Sequence, residues 1–184
     1  NLWNGEPHTA CYSDGYKNRL LHVLSKVYNL QYDMSCIVPM LSNTYGPNSR
    51  IDNGAIPFLI NKCYNAKINN TDLIISGDGS AKRDFIYVED VAKLIHWSID
   101  NYNSIDPIIF ASGEQTTIKH VVNIITDIMQ FNGNVLWDTS ASVGQSTKLC
   151  DNSKLKTCLP NSNAFSSIHC VRYSKSFSVF KLST

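Results

Sequence analysis

The stretch DLIISGDGSAKRDFIYVEDVAKLI, residues 72–95, decides how this chain is read. Leu73, Ile74 and Ile75 make an apolar run of strand length, which Gly77-Asp78-Gly79 ends as a turn. A basic pair, Lys82 and Arg83, leads into a second short run, Phe85-Ile86-Tyr87. A helical pattern then opens at Val88, with Glu89 and Asp90 in its first turn, where carboxylates suit the positive end of the helix dipole. Strand, turn, strand and helix in that order predict an α/β protein. Arg83 stands at a strand entrance beside a glycine turn, where a planar fork of donors can meet a diphosphate bidentately. A solvated surface charge fits the same spacing.

Working outward, residues 1–16 are polar and rich in turn formers, with Gly5, Pro7, Asp14 and Gly15. From Lys17 to about Gln31 the pattern is helical, with Leu20, Leu21, Val23, Leu24, Val27 and Tyr28 on one face, and periodicity alone suits a plain core helix. The continuous apolar run MSCIVPML (34–41) predicts a strand covered on both faces of a parallel sheet, with Pro39 marking an edge or strand end. SNTYGP (42–47) follows as a turn. Pro57 opens a further helix carrying Phe58, Leu59, Ile60 and Cys63, using proline where its missing donor costs least.

The helix that opens at Val88 runs on through Trp97 and Ile99. PIIFA (107–111) reads as a buried strand and Gly113 as a turn. Thr116 or Thr117 can cap a helix with Ile118, Val121, Val122, Ile125 and Met129 on its apolar face. Val135-Leu136-Trp137 makes one more short strand. From Asn161 the chain has seven serines, no acidic residue and no clean period.

Composition narrows the function classes. A formal charge of +1 offers no basic face for nucleic acid, and no apolar run has the length of a membrane span. Six cysteines (Cys11, Cys36, Cys63, Cys150, Cys158, Cys170) show no metal-ligand spacing. Cys36 and Cys63 fall in apolar patterns, so buried free thiols in a reducing, cytoplasmic setting are the expectation.

Residues 72–95, together with DPIIFASGEQTTIKHVV (106–122) and GNVLWDTSASVGQSTKLCDNSKL (133–155), resemble the sugar-nucleotide half of the extended short-chain dehydrogenase/reductases. Within these they are similar to the GDP-L-fucose synthase family. That resemblance implies the C-terminal part of such a fold: a remnant of a Rossmann-like parallel sheet plus a small mixed substrate domain. It divides the chain into 1–50 (end of the dinucleotide-binding sheet), 51–160 (mixed with the substrate domain) and 161–184 (an atypical serine-rich tail). It also implies NADP as cofactor, a GDP-sugar as ligand, and a homodimer formed through helix 17–31. Residue by residue, Lys62, Arg83 and Lys148 match substrate-side positions, and Leu41, Ser42, Asn43 and Thr44 match the cofactor side.

The family's proton transfer needs Y-x-x-x-K, a tyrosine and a lysine one helical turn apart, so that the ammonium lowers the tyrosine pKa. No register supplies it. One alignment puts Tyr12 and Tyr16 at these positions. The other, which needs no gap, puts Asp14 and Asn18 there, with Lys17 about 100° around the helix from the lysine position. The segment before the Pro57 helix (51–56, IDNGAI) has no histidine, Ser76 stands where the family has a tryptophan, and Gly77-x-Gly79 is not followed by a helix as a phosphate loop would be. The expectation is a GDP-L-fucose synthase-like chain, N-terminally truncated and inactive as it stands, whose family reaction is the NADPH-dependent epimerisation and reduction of GDP-4-keto-6-deoxy-D-mannose. The alternative is a non-catalytic GDP-sugar-binding or dimerisation module.

Overall fold

A computed structural model describes residues 3–51, 54–140 and 145–159 of the chain. The serine-rich tail therefore lies outside the described residues, as do Asp52 and Asn53.

The elements run α1 (Tyr12–Tyr32), β1 (Pro39–Leu41), β2 (Asn43–Tyr45), α2 (Ala55–Ile68), β3 (Leu73–Ser76), β4 (Lys82–Arg83), β5 (Phe85–Tyr87), α3 (Val88–Asn101), β6 (Ile108–Phe110), β7 (Thr116–Thr117), α4 (Ile118–Ile128), β8 (Val135–Asp138), β9 (Thr147–Lys148) and α5 (Ser153–Cys158). A 3-10 turn, Thr9–Cys11, leads into α1. Strands pair in parallel as β1 with β6, β2 with β5, β3 with β8, and β4 with β9. The one antiparallel pair among the described residues is β4 with β7. Pairs distant in sequence and joined through helices are the signature of the α/β class.

The core divides at β5. Phe85 and Tyr87 point into a cluster with Ile60, Cys63, Leu73, Ile75 and Val122, which α2 and α4 cover. Ile86, between them, points the other way into a cluster with Val91, Leu94, Ile108, Phe110 and Leu155, which α3 and α5 cover. Alternate side chains of a strand face opposite sides, so three residues knit two cores together. On α3 the buried positions are Asp90, Val91, Leu94 and Ser98, the spacing of one helical face. Thr117 caps α4 by accepting from the His120 amide at 3.2 Å, while Thr116 is buried in β7 opposite Arg83.

Three expectations change. The helix begins at Tyr12, five residues before Lys17, so residues 12–16 are helical instead of turn. The apolar run 34–41 is a strand only over Pro39–Leu41. A second strand, Asn43–Tyr45, follows Ser42, and Cys36 is half-buried outside any strand. Pro39 begins β1, where its missing donor breaks no ladder bond. Finally, α1 is not a core helix: among its residues with described burial only His22 is buried, and Leu20, Leu21, Val23, Leu24, Val27 and Tyr28 are all exposed.

Candidate functional site

A polar cleft of about 560 Å³ opens between α1, the β1–β2 segment and β9. Asp14, Lys17 and Asn18 line it from α1, residues 41–45 from β1 and β2, and Lys148 from β9. The β1–β2 segment is held rigidly against the core. The Ser42 amide donates to the Phe110 carbonyl at 3.0 Å, and the Asn43 amide and Nδ2 both donate to the Asp84 carbonyl, at 3.2 and 2.7 Å. Ser42 is more than nine-tenths buried, and its hydroxyl has no hydrogen-bond partner among the described residues.

The two candidate pairs on α1 part company here. Asp14 and Asn18 face the cleft. Tyr12 and Tyr16 do not line it; their rings meet edge-on at 4.8 Å, and the Tyr16 hydroxyl donates to Glu6 Oε2 at 2.5 Å. The neighbouring Glu6 carboxylate raises the Tyr16 pKa well above its ordinary value, which disfavours the ionised form. Lys17, about 100° around the helix from Asn18, is three residues from Asp14 and so its neighbour on the helix surface. Its long side chain reaches back so that Nζ lies 2.7 Å from Asp14 Oδ1 at the cleft mouth. Bonding to Lys17 pulls the Asp14 pKa below its usual value, with smaller help from the Lys148 charge, so at neutral pH Asp14 is a carboxylate with no proton to donate.

Of the substrate-side candidates, Arg83 and Lys148 meet. They are register partners on β4 and β9 and stand side by side. The Arg83 guanidinium donates to the Lys82 carbonyl at 2.7 Å in an exposed bond; Arg83 as a residue is half-buried, whereas Lys148 is exposed. Lys62 is not brought to this pair. It donates to the Ile74 carbonyl at 2.8 Å and lies over the Phe58 ring, which ties α2 to β3. Ser76 and the glycine turn line a separate cavity of about 300 Å³ with Ser80, Ile118 and Ser146. Gly77 and Gly79 hold φ of +87° and +77°, and a Cβ on Gly79 would stand 2.6 Å from the Trp137 ring, so glycine there serves a tight turn and not a phosphate loop.

Asp84 is a residue that chain spacing did not single out. It is fully buried; its Oδ1 accepts from the Ser112 amide (3.0 Å) and hydroxyl (2.9 Å), and its Oδ2 from the Gly113 amide (2.9 Å). A signal existed, because strand alternation puts Asp84 on the same face as Ile86 and so points it inward. Among the described residues no group of three or more His, Cys, Asp and Glu is placed to hold a metal, and no helix is long and apolar enough to cross a membrane.

Residues 13–123 match the model of the NAD dependent epimerase/dehydratase family. The chain is 38% identical over 165 residues to a GDP-L-fucose synthase of Dictyostelium discoideum, an alignment that covers 87% of this chain and 52% of that protein. Its fold is similar to a crystal structure of a GDP-L-fucose synthetase from Naegleria fowleri (TM-score 0.82, 29% identity, 97% of this chain and 57% of that one). The same enzyme solved bound to NADP gives a TM-score of 0.81 at 28% identity, over 97% of this chain and 58% of that one. The chain thus spans about half the length of the relatives it matches. With the parallel strand pairs, the twin cores about β5 and the family model running from α1 to α4, the chain belongs to the NAD dependent epimerase/dehydratase family.

Proposed function

We propose that this chain binds a GDP-sugar, gripping the diphosphate between Arg83 and Lys148, and that by itself it does not carry out the family reduction. The observation that carries the reading is the pairing of those two cations in register on neighbouring strands, with Lys148 on the wall of the polar cleft. Two adjacent cations, one a guanidinium able to bond bidentately, suit a diphosphate better than either does alone. Lys62 enters the proposal only as a more distant contact, since its ammonium is already engaged on Ile74.

Loss of reduction follows from the chemistry of α1. Delivering hydride to a ketone requires a proton donor at the carbonyl oxygen. At the tyrosine and lysine positions α1 gives the cleft wall a carboxylate held ionised, Asp14, and an amide, Asn18, and the nearby Lys17 ammonium is engaged on Asp14. NADP is the cofactor expected from the relatives, and its nicotinamide would lie against residues 41–44. The rest of the donor set does not fit it. Asn18 has no ammonium to hold a ribose, Asp14 sets a negative charge beside the cleft, and the glycine turn at 77–79 leads into a strand. No step is therefore derived through that cofactor. In this proposal residues 1–50 supply the sheet side of the cleft and residues 51–160 the sugar-nucleotide side. The boundary is crossed by the β1–β6 and β2–β5 pairs, so the two act as one unit.

A dimerisation role is favoured by one separate observation, the exposed apolar face of α1 over 17–31, which suits a second copy of the chain. Calorimetric titration of GDP and then NADPH tests the main reading. The expected outcome is saturable GDP binding without NADPH binding, weakened about tenfold or more by Arg83→Ala or Lys148→Ala. Turnover of GDP-4-keto-6-deoxymannose with NADPH would overturn the inactive part, and GDP affinity untouched by both substitutions would overturn the site.

A further inference from the structure

Resting on that GDP-sugar reading, the geometry points to a specificity: the cleft takes a GDP-hexose whose group facing Asp14 is a hydroxyl, and discriminates against the keto sugar. Lys148 belongs at once to the cation pair with Arg83 and to the cleft wall that Asp14 shares, so a diphosphate held by the pair sends its next substituent toward α1. There it meets Asp14 and Lys17, bonded to each other at 2.7 Å, and Asn18 beside them.

The hydrogen-bonding inventory then decides between two sugars. A carboxylate only accepts, and so does a ketone oxygen, so the two repel when they face each other. A hydroxyl donates to Asp14 while accepting from the Lys17 ammonium or the Asn18 amide. A tyrosine at the Asp14 position would favour the opposite choice, because it can donate to a ketone.

Sites that hydrogen-bond a substrate hydroxyl can reject analogues lacking it by factors far above tenfold when the site is buried. The Asp14 side chain is 68% exposed, so water relieves much of that mismatch. GDP-6-deoxy-D-mannose and its 4-keto counterpart differ only by two hydrogens at C4 and form the test pair, with GDP alone as reference, all titrated by calorimetry. The hydroxyl form is expected to bind about tenfold tighter than the ketone. Asp14→Asn, whose amide both donates and accepts, should bring the two within about twofold and, by removing a negative charge that acts on Lys148, should not weaken binding of GDP alone. Equal affinities in the unsubstituted chain, or a preference that survives Asp14→Asn, would overturn the specificity. A loss of affinity for GDP alone in that variant would put the nucleoside in the cleft and would overturn it as well. Absence of any GDP binding would instead remove the sugar-nucleotide reading itself, and the specificity with it.

Discussion

The carboxyl group of Asp84, without solvent exposure, ties three segments together. Its oxygens take the Ser112 and Gly113 donors after β6, its main-chain carbonyl takes both nitrogens of Asn43 in β2, and its neighbour in β4 is Arg83. Removing the acceptor leaves the half-buried Ser112 and Gly113 donors without their partner, which costs more than the bond itself contributes. Asp84→Ala should therefore lower stability by about 3 kcal/mol, read as an earlier midpoint in urea unfolding with an unchanged slope. A change below about 0.5 kcal/mol would show that water or a rearranged loop takes over these donors. Cys63 contrasts with it: fully buried among apolar neighbours, its thiol has a pKa raised by burial and is an inert packing group.

Among the elements, α1 is held to the rest of the chain at few points, and His22 is one of them. Trp3 Nε1 donates to His22 Nδ1 at 3.1 Å, which requires that nitrogen to keep its lone pair. Burial pushes the His22 pKa below its usual value, with the Lys26 charge adding to the effect. The folded state then binds fewer protons than the unfolded one once the pH falls below about 6.5, so the contribution of neutral His22 is complete above that pH and lost on acidification. Between pH 7 and pH 5 stability should fall by at most about 1.4 kcal/mol per pH unit from this group, and protonation should release Trp3. Tryptophan emission and urea midpoints across that range check the prediction. In His22→Gln, which keeps an acceptor but does not titrate, the dependence should flatten. Arg19, which donates to the Gly5 carbonyl and lies over the Trp3 and Tyr16 rings, should keep the segment near α1 in that variant.

For the whole molecule the exposed face of α1 is the dominant fact. Leu20, Leu24, Val27 and Tyr28 form a stripe along the helix, each more than a third exposed. Among the described residues β1 pairs on one side only, with β6, and β2 only with β5. Apolar stripes and open strand edges favour association. The chain is expected to sediment as a dimer at micromolar concentration, and Leu24→Glu, which sets a charge in the middle of the stripe, should shift it toward monomer. A sharp, reversible melt of a monomer, independent of concentration, would count against this.

By itself the sequence determined the α/β class, the strands at 73–76 and 85–87, the helix that follows Tyr87 and the buried face of α4, because these follow from periods of 2 and 3.6, turn chemistry and capping. It also determined that no Y-x-x-x-K is present, a matter of spacing alone. It reached the candidate site less fully. Arg83 and Lys148 are 65 positions apart in number, and only the β4–β9 register makes them neighbours. Asp14 and Asn18, or Tyr12 and Tyr16, suited the helix equally until tertiary packing turned the first pair into the cleft and left the second pair against Glu6. Lys17 came to Asp14 because a four-carbon side chain spans the angle that helical geometry sets between them. The apolar face of α1 suited a core helix and a dimer-forming helix alike because hydrophobicity records that a surface is to be covered. What covers it, this chain or another, is decided only by which elements lie within reach in three dimensions.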